Sequence, residues 1–268
     1  MTDAPAAPEY ALQLSPAELG RYRMMAEAAR AAEADLWQLA GIVPGATVAD
    51  VGCGPGAMFP AVVESVGPDG RVLGVDGVGS TVAQAQALVD ASGWSNVTVQ
   101  VGNADNTGLP PESCDVVMMR HVLAHNGPSE QQIVNHLATL VRPGGHVYLV
   151  DIHGGAFYSK PEDADISELN DAYQRFHAAK GNDLMTGLRL DDMLTAAGME
   201  LLDYRGWFNI IRVQGAMRPP SWAARDAMVA AGVIAADDLS RYEAAFDRLI
   251  AQGPTIYAPV FGAVGRRA

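Results

Sequence analysis

Apolar residues recur along this chain with two different periods. From Glu18 to Leu39 they fall at helical spacing. Ser15-Pro16-Ala17-Glu18 predicts the start of that helix, with serine as N-cap, proline at the first helical position and glutamate three residues on. Gly41 and Pro44-Gly45 end it. The pattern then alternates. Short β-prone runs at Ala46–Val51, Arg71–Val75, Val97–Val101, Cys114–Met119 and His146–Ile152 are separated by helical stretches. One helix covers Met58–Val66; a second is capped by Thr81 with Gln84 and closes at Gly93. A third opens at Ser129 with Gln132 and turns Ile133, Val134, Leu137, Leu140 and Val141 to one face. Strands such as DVVMM and VYLV are apolar throughout, as burial on both faces requires, so the fold class is α/β with helices on both sides of a parallel sheet.

Two stretches interrupt the alternation. Glu162–Ala179 reads as a helix with Ile166, Leu169, Tyr173 and Phe176 on one stripe. After a strand at Glu200–Trp207, Ser221–Ala231 and Asp237–Ala251 read as helices, and Thr255–Val264 as a final strand in which Pro259 predicts a bulge or interruption. Helices inserted after the carboxyl ends of strands are expected to cover a ligand crevice there. The predicted organisation is an N-terminal helical lid segment over 1–40 and one domain over 41–268, with insertions at about 153–186 and 208–253.

Composition narrows the partners. Lys plus Arg is 18 against 31 for Asp plus Glu, a formal net charge of −13, which disfavours nucleic acid and anionic lipid surfaces while leaving cationic small ligands open. Two cysteines, Cys53 and Cys114, give no disulfide framework. The N-terminal residues lack a basic region followed by an apolar stretch, and no apolar run approaches the roughly 18 residues of a membrane span. The expectation is a cytoplasmic globular protein with a small-molecule substrate, no nucleic-acid or membrane partner, and a homodimer as the assembly to test.

The chemistry concentrates in Val48-Ala49-Asp50-Val51-Gly52-Cys53-Gly54-Pro55-Gly56, a strand running into three glycines at alternate positions and then a helix. The glycines allow a sharp turn and let a ligand lie against backbone. Asp76 ends the next strand about 20 residues later, where a carboxylate can accept from both hydroxyls of a ribose. Here the third glycine follows the second after two residues, whereas the dinucleotide fingerprint needs three, and this argues against a nicotinamide-dependent oxidoreductase. With Asp50 two residues before the first glycine, the segment resembles the first motif, D/E-x-G-x-G-x-G, of the class I S-adenosylmethionine-dependent methyltransferases. Asn103-Ala104-Asp105, Cys114–Arg120 and Val141-Arg142-Pro143-Gly144-Gly145 resemble that family's later motifs in the family's order, over about residues 45–152. Small-molecule methyltransferases of the ubiquinone/menaquinone-biosynthesis type look most similar.

The resemblance implies a Rossmann-like class I methyltransferase fold: a seven-stranded, mostly parallel sheet with an antiparallel last strand and helical lid insertions. It implies S-adenosyl-L-methionine as cofactor, with Gly52, Gly54 and Gly56 against its methionine half and Asp50 bracing the loop. Asp76 would take the ribose with Gly77 beside it. Asn103, Ala104 and Asp105 would lie at the adenine, and Arg120 at the fourth strand's end near the methionine portion. It also implies that Tyr10, Tyr22 and Arg23 fold over the cofactor.

Methyl transfer from a sulfonium is an in-line displacement, so a base is expected for an oxygen or carbon nucleophile and is dispensable for an amine. His121, just beyond the fourth strand, is the first candidate base, and His153, after the fifth, is the second. His125 stands where the family often has histidine, in a structural role. His177, on the inserted helix, can point inward, while His136 and His146 read as surface or supporting residues. His121 and His125 lack the glutamate of a zinc-binding H-E-x-x-H run, and no metal is expected. Phe157, Tyr158, Tyr173, Phe176, Trp207, Phe208 and Trp222 supply aromatic surface near the lid. Two rivals keep the cofactor site: a cyclisation or rearrangement without methylation, and a non-catalytic cofactor-binding subunit.

Overall fold

The computed structural model describes residues 16–213 and 218–268; Tyr10, Ser15 and the side chain of Arg23 lie outside the described residues. In chain order the elements are α1 (Pro16–Ala32), α2 (Ala34–Leu39), β1 (Thr47–Val51), α3 (Phe59–Val66), β2 (Arg71–Asp76), α4 (Gly79–Ser92), β3 (Val97–Val101), β4 (Cys114–Arg120), α5 (Glu130–Leu140) and β5 (Val141–Ile152). They continue with β6 (Tyr158–Lys160), α6 (Ala164–Ala179), α7 (Leu190–Ala196), β7 (Glu200–Arg212), α8 (Pro220–Ala223), α9 (Arg225–Ala230), α10 (Leu239–Ala251) and β8 (Thr255–Arg266).

The sheet runs β3-β2-β1-β4-β5-β8, with β7 on the far edge of β8. Strands β1 to β5 pair in parallel, and β8 is antiparallel to both β5 and β7. These are the seven strands expected; β6 is an eighth, pairing with the start of β8 beyond the end of β5. The chain leaves β1 towards β2 and β3 and returns to its other side at β4, so the crevice between the exits of β1 and β4 is the topological switch point.

Pro259 produces no bulge. It pairs with Phe208 in a stretch of the β7–β8 ladder whose register is regular, the one shift lying at Leu201/Asp203, while on the other edge of β8 the partner changes from β5 to β6 around it. Its carbonyl accepts from His153 N on that second edge, so the missing N–H also faces the gap between β5 and β6 and no ladder bond is lost.

Three apolar cores follow from the pattern. One face of the sheet packs Val48, Val72, Met118 and Val150 against Leu36, Trp37, Phe59, Val62 and Ala85 of α2, α3 and α4. The other packs Val117, Met119, Val147 and Leu149 against Ile133, Leu137 and Leu140 of α5 and Leu190 and Leu194 of α7. The third joins Ile166, Leu169, Tyr173 and Phe176 of α6 to Met228, Tyr242, Phe246 and Leu249 of α9 and α10. The two inserted segments thus share one core, which meets the sheet through Ala124, just past β4. The expected Thr81 and Ser129 caps do not form. Thr81 is buried inside the first turn of α4, where Asp76 Oδ1 instead accepts from Val78 N at 2.9 Å, and Ser129 makes no side-chain cap bond.

Candidate active site

The loop after β1 is held by backbone first: Gly52 N and Cys53 N both donate to Val75 O, at 2.7 and 3.1 Å. Gly52, Gly54 and Gly56 all have positive φ, of 78°, 55° and 80°. A Cβ on Gly52 would lie 2.4 Å from Val122 Cγ2, and one on Gly56 2.7 Å from the Phe59 ring, whereas one on Gly54 would meet nothing within 4 Å. Gly54 is therefore the point where the loop faces open space. Its N–H donates to Asp76 Oδ2 at 3.0 Å, so the carboxylate at the end of β2 shapes the loop at the end of β1. Gly77 lies beside Asn103, whose Oδ1 would be 3.5 Å from its Cβ. Ala104 and Asp105 follow in the same turn after β3, and Asp105 Oδ2 accepts from Gln132 Nε2 at 3.3 Å. His136 Nε2 accepts from Thr107 N at 3.1 Å and ties this turn to α5.

Asp50 is 2 % exposed and its Oδ2 has no hydrogen-bond partner. Burial pushes its carboxyl up to about 7 against the opposing charge of Arg120, and Asp76 pushes the same way as burial. Arg120 turns its side chain to Glu33, between α1 and α2. Nη2 donates to Glu33 Oε1 at 3.0 Å, Nη1 pairs with Oε2, and Tyr148 OH donates to the same Oε2 at 2.5 Å. Glu33 is 1 % exposed, so this ion pair is buried. Glu33 and Tyr148 were not among the expected site residues. A signal existed: Glu33 falls at the spacing of Ala29, Leu36, Trp37 and Ala40, a charge on the buried stripe.

At the exit of β4, His121 adopts a left-handed φ of 55° and its N–H donates to Val150 O at 2.8 Å. A non-glycine residue in this region costs of order 1 kcal/mol and marks a site where surroundings fix the backbone. Val122 packs on Gly52, and His125 follows in a 3₁₀ turn. At the exit of β5, Asp151 is buried with its carboxyl pushed up to about 7 by burial, opposed by the amides of Ala124 and Ile152. His153 Nδ1 is buried without a partner. The aromatic residues divide. Tyr173 and Phe176 lie in the core shared by α6, α9 and α10, whereas Tyr158 and Phe208 are exposed and, with Lys160 and Tyr257, line a cleft of about 420 Å³ on the β6–β8 extension.

Across the crevice, an orphaned carboxylate oxygen, an uncovered glycine and a strand-end carboxylate converge, and a nucleoside cofactor with a polar amino-acid arm fits these donors and acceptors. Among the described residues no cluster of His, Cys, Asp or Glu forms a metal site, and no helix is long and apolar enough to cross a membrane.

Residues 48–145 match the family model described as a methyltransferase domain. The chain is 32% identical over 113 residues to an arsenite methyltransferase of Halobacterium salinarum, covering 42% of this chain and 29% of that protein. It is 34% identical over 106 residues to the nocamycin O-methyltransferase of Saccharothrix syringae, covering 40% and 38%. With a demethylmenaquinone methyltransferase of Bacillus licheniformis it shares 28% identity over 139 residues, covering 52% and 56%. The chain thus spans between 29% and 56% of the length of these relatives. Among solved structures it superposes on a SAM-dependent methyltransferase of Aquifex aeolicus with a TM-score of 0.54 and 16% identity, over 93% of this chain and 98% of that one. It superposes on a Haemonchus contortus phosphoethanolamine N-methyltransferase, solved with S-adenosyl-L-methionine, at 0.52 and 16% identity, over 87% and 51%.

Proposed function

We propose that this chain, which carries a methyltransferase domain of class I fold, transfers a methyl group from S-adenosyl-L-methionine to an oxygen, nitrogen or carbon nucleophile of a small-molecule acceptor of the secondary-metabolite or quinone-like kind. The observation that carries the reading is the convergence at the switch point of Asp50 Oδ2, the uncovered Gly54 and the Asp76 carboxylate. When bound, the cofactor supplies a methyl group made electrophilic by its sulfonium.

In this reading the chain does the rest. Gly52, Gly54 and Gly56 let the loop approach the methionine portion, and Asp50 takes a donor on its free oxygen. Asp76 uses the remaining lone pairs of its two oxygens for the ribose hydroxyls while still holding Gly54 N and Val78 N. Gly77, Asn103, Ala104 and Asp105 line the adenine end, and Arg120 acts through Glu33 to brace the wall behind the methionine portion. His121 receives the proton of an oxygen or carbon nucleophile, with His153 as the alternative base from β5. The lid helices exclude water from the aligned nucleophile.

The test is thermal unfolding with S-adenosylmethionine, S-adenosylhomocysteine or NAD. At about 100 times its Kd a ligand stabilises by about 2.7 kcal/mol, a rise of about 5–10 °C for a chain of this size. A rise with both adenosyl ligands is expected, and a rise with NAD alone overturns the reading. Asp76→Ala should weaken S-adenosylhomocysteine binding by about 1.5–3 kcal/mol. His121→Ala should slow turnover by about 10²–10⁴-fold at near-constant cofactor affinity.

A further inference from the structure

Six buried side-chain polar atoms among the described residues lack a hydrogen-bond partner, and two of them are imidazole nitrogens: Nδ1 of His153 and Nε2 of His177. Leaving such an atom without a partner forfeits the hydration it would have in water, so a ligand that completes it is favoured. His177 is 4 % exposed and lies on α6. Its Nδ1 is 3.1 Å from Asn182 Nδ2; the amide N–H donates, so the ring proton sits on Nε2. Burial first, then the charges of His125 and Lys180, holds the ring neutral by drawing its pKa down to about 3. A ring this reluctant to take a proton is a poor base and a good neutral donor.

Its neighbours fix what that donor faces. The His177 ring centroid is 4.9 Å from that of His125 and 4.4 Å from that of Tyr173. His125 belongs to the turn that begins beside Val122, the residue packed on Gly52 of the glycine loop. On the same side of α6, Gln174 Oε1 comes within 3.3 Å of the Cβ position of Gly155, where His153 Cε1 lies at the same distance. Tyr173, Gln174 and His177 therefore form the face of α6 laid over the exits of β4 and β5.

We propose that His177 Nε2–H is a specificity-determining donor for the methyl acceptor, binding a carbonyl or phenolate oxygen that the acceptor carries. A neutral N–H needs a lone pair opposite it, which a carbonyl or phenolate oxygen offers and an alkylammonium does not. The inference rests on the methyltransferase reading and deepens it.

The experiment titrates the protein loaded with S-adenosylhomocysteine with 2,3-dihydroxynaphthalene and with 2-(aminomethyl)naphthalene, which share a ring system and differ in polar group. The diol should bind and shift the ¹⁵N resonance of His177 Nε2–H in the wild type; the ammonium compound should do neither. His177→Phe should weaken diol binding about tenfold with S-adenosylhomocysteine affinity within twofold, and His177→Gln, which keeps an N–H, should recover part of the loss. No diol binding to the loaded protein, an unmoved Nε2 proton, or equal diol affinity in His177→Phe each overturns the proposal. Failure of the wild type to bind S-adenosylhomocysteine instead overturns the methyltransferase reading, and the same diol titration of the unloaded wild type and His177→Phe then decides the His177 donor.

Discussion

Asp50 is a buried group, and in the proposed reading it is also an acceptor for the cofactor. Its folded pKa of about 7 stands above the unfolded value of 3.8, so its contribution to stability is fully present below about pH 4 and is lost as pH rises through about 7. Across that window the folded chain holds a proton that the unfolded chain has released. Asp151 titrates with the same sign, and His177, drawn down to about 3, with the opposite one. Both remain in Asp50→Asn, so subtracting the two melting profiles isolates Asp50. Without ligand, the variant should match the wild type near pH 4 and become progressively more stable relative to it by pH 8, in urea or thermal unfolding. Parallel profiles would show that Asp50 is ionised at no cost in the free protein. Glu33 and Arg120 are each other's counter-charge, and removing either partner of such a buried pair costs about 3–5 kcal/mol.

The glycine loop separates at the level of the element what the motif treats as equivalent. All three glycines sit at positive φ, where any other residue costs about 1 kcal/mol or more. Gly52 and Gly56 are also in contact with Val122 and Phe59, while Gly54 faces open space. Gly54→Ala should therefore fold, with a melting point lower by only a few degrees, and lose at least about tenfold in S-adenosylhomocysteine affinity. Gly52→Ala should be destabilised by about 2–4 kcal/mol, because the new methyl and Val122 cannot both keep their places. Equal loss of stability in both variants would remove Gly54 from the ligand side. The strands and long helices were legible because their periods are unbroken, and the switch-point loop because glycine spacing is local. What local pattern misses is what long-range packing decides. Helix α7 is seven residues long and takes its stability from β7, β8 and α5; the strand β6 is three residues paired only to β8. At the start of α4 the cap expected of Thr81 gives way to Asp76, which reaches over from the end of β2, and Ser129 makes no side-chain cap bond at the start of α5. His177 was readable as an inward candidate, but its tautomer depends on Asn182, which the helical period does not reveal.

At the scale of the whole molecule, the surplus of 13 negative charges acts on whatever approaches. The arginines are largely committed: Arg241 and Arg248 join α10 to Asp163, Asp165 and Glu168, and Arg205 pairs with Asp35 and Asp203. Exposed pairs of this kind add little to stability, and their engagement leaves the unpaired carboxylates to set the long-range field. S-adenosylmethionine carries a sulfonium charge that S-adenosylhomocysteine lacks, so an acidic molecule attracts the first more strongly than the second. The Debye length falls from about 30 Å at 0.01 M salt to about 10 Å at 0.1 M, which screens the distant carboxylates before those lining the site. Calorimetric titration should therefore show S-adenosylmethionine affinity falling about two- to threefold between 0.01 and 0.3 M NaCl, with S-adenosylhomocysteine nearly unchanged. Equal salt slopes for the two ligands would mean that the net charge does not reach the switch point. Discrimination between them would then rest on Asp50, Asp76 and the other groups within the crevice.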